Sequence, residues 1–229
     1  MALILYYHPL ASYCHKVLMA LYENETPFEK RVIDLYDPTS SAELQSLWPM
    51  KKLPVLRDEA RNCTVGETSI IIEYLDTKYP GALSLVPTDA ELSLEARLWD
   101  RIFDLYVNSP MQKIVTDRLR PAGQGDALGV EDAKQTLRTV YDLIEARMES
   151  RNWALGDAFS IADCAAAPAL FFAEVVQPFA ATHPNLTGYF ARLAVRASFA
   201  KVMDEARPYF HLFPLRDEMP SRFNGTLRS

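Results

Sequence analysis

The sequence predicts an α/β unit followed by an all-α unit, and three observations carry this. Over the first 80 residues, short apolar strands alternate with amphipathic helices in the order β-α-β-α-β-β-α. Beyond them the period-two patterns stop and helical periodicity runs almost to the end. Between the two lies a stretch punctuated by Pro80-Gly81 and Pro87, as a linker would be. The predicted units are residues 1–80, a linker at 81–88, helices over 89–210, and a loose tail at 211–229.

"LILYY" (3–7) is short, apolar and bounded by Pro9, a buried strand. Ser12 fits a helix N-cap, with Val17, Leu18, Leu21 and Tyr22 following at helical spacing. "FEKRVIDL" (28–35) alternates as a second strand. A turn at 37–41 leads to a short helical piece at 42–47. "LPVLRD" (53–58) and "NCTVG" (62–66) are two more strands, and "ETSIIIEYLDTKYP" (67–80) is a helix stopped by Pro80-Gly81. In the second unit one long helix is predicted over 89–120, with Trp99, Phe103 and Tyr106 on a stripe. Another covers 130–150, with Ala133, Leu137, Val140, Ile144 and Met148 in phase. Residues 160–176 are apolar on almost every side, so that helix is central. Residues 184–202 hold two short helices.

The chain has 229 residues, 49% apolar and 24% charged, with a net charge of −6. An acidic chain is a poor partner for phosphate backbones, which argues against nucleic acid. The N-terminus lacks the basic segment of a signal peptide, and Asp163, Pro168 and Glu174 interrupt the most apolar stretch, so no membrane span is expected. Cys14, Cys63 and Cys164 are odd in number and far apart, consistent with free thiols in the cytoplasm.

The chemistry concentrates at three places. In "PLASYC" (9–14) a strand gives way to a helix N-terminus, where free N–H groups and the helix dipole stabilise an anion. Thiolate chemistry favours such a position. The dithiol of redox proteins is absent, but Ser12 can donate a hydrogen bond to another molecule's thiolate. Apolar-Pro-Val opening a strand at Leu53-Pro54 fits a cis proline that turns the Leu53 N–H and C=O outward, toward an extended peptide. At Glu67-Thr68 another helix begins, with free N–H groups for a carboxylate and an acid for an amine. Each signal taken alone is no more than a capped helix or an edge-strand proline. In this order they make a cradle for a small peptide that carries a thiol.

With "YYHPLASYCHKV", "KKLPVL", "ETSIIIEYL", "GDAFSIADCAAAP" and "HPNLTGYFARLAVRASF" in place, the chain resembles the cytosolic glutathione S-transferases over residues 2–210. The resemblance implies a thioredoxin-like fold for the first unit and the family's helical domain for the second. The Ser160/Asp163 capping box reads as structural, since a helix buried in the middle must satisfy its end groups. The loop departs from the family's patterns. Ala11 stands where theta- and delta-like members carry serine, and Ser12 stands where beta-like members carry cysteine. Thr68 replaces the usual serine and Ala197 a frequent proline.

The resemblance implies glutathione as co-substrate, a homodimer, and transfer of the glutathione thiolate to small hydrophobic electrophiles, a detoxification chemistry that needs no metal. Ser12 is the catalytic candidate and Cys14 its rival. Ser12, Lys52, Leu53, Pro54, Glu67 and Thr68 are the candidates for holding glutathione. Tyr13, Phe103, Tyr106 and Met111 are the candidates for the electrophile pocket, expected between the two units. A thiol near 8.5 lowered by about two units needs roughly 2.7 kcal/mol of preference for the anion. A hydrogen bond to a charged acceptor gives about 1.5–3 kcal/mol and a helix end about 0.3–1 kcal/mol, so Ser12 and the helix suffice. Two other readings stand beside it: a thiol reductase working through Cys14, and a binding or regulatory protein without turnover.

Overall fold

The computed structural model describes residues 3–220 and Phe223. Strand β1 (Leu3–Tyr7) buries alternate residues, and helix α1 (Ser12–Glu23) follows. Strand β2 (Glu29–Val32) is exposed along its whole length and stops short of the predicted 35. The Asp34 carboxylate there accepts from Tyr36 N–H at 2.9 Å, bending the chain away from the sheet. Helix α2 (Pro38–Leu47) begins four residues earlier than predicted. Asp37 caps it, accepting from Ser40 N–H at 2.8 Å, and Pro38 takes the first helical position. Strands β3 (Val55–Asp58) and β4 (Cys63–Val65) and helix α3 (Thr68–Lys78) complete the first unit.

The sheet order is β2-β1-β3-β4, with β1 and β2 parallel and the other pairs antiparallel. One face packs Leu3, Leu5 and Tyr7 into the main core with α1 and α3. The other packs Tyr6, Ile33 and Val55 against Leu44 of α2. Tyr7 is buried in the first of these cores and Tyr6 is partly buried against the second.

The helix predicted over 89–120 is three pieces: α4 (Ala90–Ile102), a π-helical turn (Phe103–Asn108) and α5 (Ser109–Asp117). Pro110 supplies a reason. It has no N–H for the carbonyl four residues back, and its ring needs room there. The wider turn gives that room, and Ser109 N–H bonds the Asp104 carbonyl five residues earlier. Helices α6 (Ala127–Met148), α7 (Ile161–Val176), α8 (Pro184–Ala194) and α9 (Ala197–Ala206) follow.

Helix α7 is buried over Ile161–Val175 and touches α1, α4 and the π turn. Its capping box closes, with Ser160 Oγ accepting from Ala162 N–H and Asp163 Oδ2 accepting from Ser160 N–H. The other Asp163 oxygen accepts from Tyr189 OH at 2.7 Å and Ala154 N–H at 2.9 Å. The box therefore also anchors α8 and the preceding loop.

The segment predicted as a loose tail is not loose among its described residues. It forms 3₁₀ turns at Arg207–Leu212 and Arg216–Glu218. Phe213, Leu215, Met219 and Phe223 are buried, with Phe213 against Phe172 at 5.3 Å and Phe223 against Phe171 at 4.4 Å between ring centroids. These anchors follow no helical or strand period, so their sequence carries no periodic signal.

Candidate active site

Strand register brings the three predicted places to one end of the sheet. Tyr6 pairs with Val55, so Leu53-Pro54 lies beside the end of β1, where the chain turns toward α1. Strand β4 runs back from Cys63, opposite Asp58, to Val65, opposite Leu56. Glu67 and Thr68 therefore emerge at that same end. Leu53–Pro54 is a cis peptide, Leu53 is half-buried and Lys52 is exposed. Glu67 is exposed with φ of 65°, and Thr68 is buried as the first residue of α3. Gly66 before them admits no side chain, because a Cβ would stand 2.5 Å from the Trp48 ring.

Ser12 is not the N-cap of α1. Ala11 holds that position with extended backbone and no side-chain cap bond. Ser12 is the first helical residue, 3% exposed, and its hydroxyl donates to Asn108 Oδ1 at 2.7 Å. Gln112 Nε2 donates to Ser12 Oγ at 3.3 Å. Both partners come from the second unit, at the end of the π turn and one turn into α5.

Cys14 faces the other way. It is fully buried, its sulfur accepts from His8 N–H at 3.4 Å, and burial pushes its thiol up to about 12. A buried thiol with a raised pKa is a poor nucleophile, which argues against Cys14 as the rival to Ser12. His15 is buried too and held down at about 4 by burial. Its Nε2 donates to Pro9 O at 2.6 Å. His8 is lowered by burial, and its Nδ1 accepts from Leu10 N–H at 3.2 Å.

A cleft of about 700 Å³ lies between the units, with Ser12 on its wall. Of the four predicted pocket residues only Met111 lines it. Tyr13 turns its hydroxyl to the Asp104 carbonyl at 3.2 Å. Phe103 is in the core between Trp99 and Tyr189, and Tyr106 is exposed away from the cleft. The stripe that suggested them is core packing and outer surface. Sequence reasoning missed Gln112, Phe172, Tyr209 and Phe213, which line the cleft. Phe172 belongs to the all-apolar helix, Tyr209 to the turn that ends the helical unit and Phe213 to the tail, so these three carried no local signal. Asn108 and Gln112 had one: two carboxamides four residues apart, on one face of a helix.

Beneath Ser12, one turn down α1, Lys16 is 1% exposed and meets Asp100 at 2.5 Å and Asp104 at 2.7 Å. Burial raises the Asp104 carboxyl, while Lys16 and Arg101 pull it back. Lys16 also donates to Ser69 Oγ at 3.0 Å, and Ser69 donates to Asp100 at 2.6 Å. The start of α3 is thus tied to the same buried charges. Among the described residues no three His, Cys, Asp or Glu side chains are grouped to hold a metal ion, and no helix is long and apolar enough to cross a membrane.

Comparison with known proteins agrees with this architecture. The glutathione S-transferase N-terminal domain family matches residues 5–83 and the C-terminal domain family residues 127–192. FtsZ-localized protein A of Caulobacter vibrioides is 30% identical over 169 residues, 71% of this chain and 73% of the relative. Glutathione S-transferase GstB of Escherichia coli K12 is 24% identical over 190 residues, 82% of this chain and 91% of the relative. The crystal structure of a glutathione S-transferase from Methylobacillus flagellatus with GSH bound superposes with a TM-score of 0.80 at 26% identity, covering 88% of this chain and 98% of that one. A small mixed sheet joined to a helical second unit, three chain segments converging at one sheet end, and matches to both halves lead to one conclusion: the chain belongs to the glutathione S-transferase family.

Proposed function

We propose that the protein is a glutathione transferase: it binds glutathione across the converging ends of α1, β3 and α3 and directs the thiolate at an apolar electrophile in the interdomain cleft. The observation that carries this reading is Ser12, placed at the N-terminus of α1 and on the wall of that cleft. The first turn of α1 supplies free N–H groups and positive potential for the sulfur. Exposed Glu67 faces an ammonium group, the start of α3 faces a carboxylate, Leu53 pairs with the peptide backbone, and Lys52 reaches a second carboxylate. The walls at Met111, Phe172 and Phe213 exclude water from the attack. The reading extends to a cytoplasmic homodimer, whose contact surface would use Ile70, Leu94, Leu98 and Leu105, all exposed.

A second reading is favoured by one observation. The Ser12 hydroxyl donates to Asn108 within the protein, as suits a protein that binds without turnover. The relative named for localisation with FtsZ fits that reading too. A titration of thiolate absorbance for bound glutathione, together with turnover of an aryl or alkyl halide, separates the two. The transferase reading expects a thiol well below 8.5 in the wild type that rises by about one to two units in Ser12→Ala. Binding with an unshifted thiol and no turnover would establish the second reading in its place.

A further inference from the structure

Two i,i+4 pairs face each other across the units. Ser12 and Lys16 stand one turn apart on α1. Asn108 and Asp104 stand four residues apart on the π turn. They pair one to one, Ser12 with Asn108 at 2.7 Å and Lys16 with Asp104 at 2.7 Å. Both serine and asparagine are almost fully buried. A serine has one proton, and here it is given to the Asn108 carbonyl oxygen. In that arrangement Ser12 has nothing to donate to a sulfur.

A carboxamide offers a donor on its other side. Among the described residues no acceptor meets Asn108 Nδ2, and that atom is not sealed off among the buried unpartnered groups. A half turn of the amide replaces the accepting oxygen with a donating nitrogen. Ser12 Oγ then receives two N–H groups, from Asn108 and from Gln112, and its own proton has no direction left but the cleft. We propose that Asn108 is a positioning residue whose carboxamide orientation decides whether the Ser12 proton is held inside the protein or presented to the glutathione sulfur, with Gln112 steadying the oxygen in both states. This rests on the assignment of Ser12 made above.

The energetics favour the exchange once an anion arrives. A hydrogen bond to a charged acceptor is roughly twice as strong as one between neutral groups, so a thiolate outcompetes the neutral amide oxygen for the proton. The two donors on Oγ polarise the O–H bond further. The charged groups nearby are Lys16, Arg101, Asp100 and Asp104 one turn away, and Asp34 on the cleft wall. None of them has a hydrogen bond to Ser12 or Asn108 among the described residues.

The test is a double-mutant cycle read by the thiolate titration of bound glutathione. Asn108→Asp keeps the shape but can only accept, so it traps the Ser12 proton. In the wild-type background, Ser12→Ala should raise the thiol pKa by about one to two units. In the Asn108→Asp background the thiol should already be raised, and Ser12→Ala should add nothing. If Ser12→Ala adds its full shift there, the new charge alone acts and the proposal is overturned. If Ser12→Ala is inert in the wild type, the Ser12 assignment itself fails, which is visible without touching Asn108. Should Asn108→Asp not fold, the Asn108 side-chain amide resonances of the wild type give the answer. They should shift on adding glutathione and not on adding S-methylglutathione, which has no thiolate. Identical responses would overturn the proposal.

Discussion

Lys16 and Asp104 meet at 2.7 Å with both side chains almost fully buried, joining α1 of the first unit to the π turn of the second. Breaking such a pair from one side leaves an uncompensated charge, at a cost of about 3–5 kcal/mol. Lys16→Met should therefore lower the denaturation midpoint sharply, because Asp100 and Asp104 would be left with Arg101 as the one cation between them. Adding Asp104→Asn should recover part of the loss. Urea unfolding of the single and double variants measures both effects, and a neutral single variant would contradict the pairing.

Acid should weaken the first unit through Asp58. Burial works against its carboxylate, but hydroxyls of Tyr74 and Tyr79, each at 2.6 Å, and the Arg61 contacts outweigh it and hold the group at about 2. A carboxyl depressed on folding gives stability that is complete above its unfolded value near 3.8 and is lost as pH falls toward 2. Unfolding midpoints measured between about pH 5 and pH 2 should fall in the wild type. The slope should be shallower in Asp58→Asn, which starts from a lower midpoint.

Thiol labelling should follow burial. Cys63 is partly exposed, while Cys14 and Cys164 are sealed. An alkylating reagent applied to the native protein should modify Cys63 alone among the three, and peptide mass analysis would locate the adduct. Cys14→Ala should leave the thiol pKa of bound glutathione where it was. Rapid modification of Cys14 in the folded state would restore its standing as a nucleophile.

The tail should matter to the second substrate rather than to the thiol. Phe213 packs on Phe172 and both line the cleft. Phe213→Ala removes a buried ring at a cost of about 3–5 kcal/mol. It should raise KM for an apolar electrophile several-fold while the thiol titration of bound glutathione stays in place. Steady-state kinetics at saturating glutathione would show the split, and a displaced thiol titration would contradict it.

What was legible in the sequence was local. Ser160 and Asp163 lie three residues apart and their box depends on nothing distant. Leu53-Pro54 showed its cis bond through the difficulty of placing a proline at the mouth of a central strand. The β-α-β order gave the sheet, and the sheet placed Ser12, Pro54 and Thr68 at one end. What was not legible depended on long-range contact. Asn108 is 96 residues from Ser12 and Gln112 is 100, and only folding reveals that they share an oxygen. Phe103 and Tyr106 were drawn to the cleft by a periodicity that reports burial on one side without saying which neighbour does the burying. Phe213 and Phe223 had no periodicity at all.

The π turn at Phe103–Asn108 has one last consequence. An α-helix advances about 100° per residue, so a single extra residue in a turn acts as a phase shift on everything downstream. Upstream of the turn, Ala96 and Trp99 are set against the core of the second unit. Downstream, Met111 and Gln112 look into the cleft. The turn uncouples these two azimuths, so one rod serves two masters with different demands on direction. Deleting one residue within it would leave α4 seated and rotate α5 by about 100°, carrying Gln112 off Ser12 and Met111 out of the cleft. Substrate-facing residues of the second unit are thus set by the count of residues in one turn as much as by their identity.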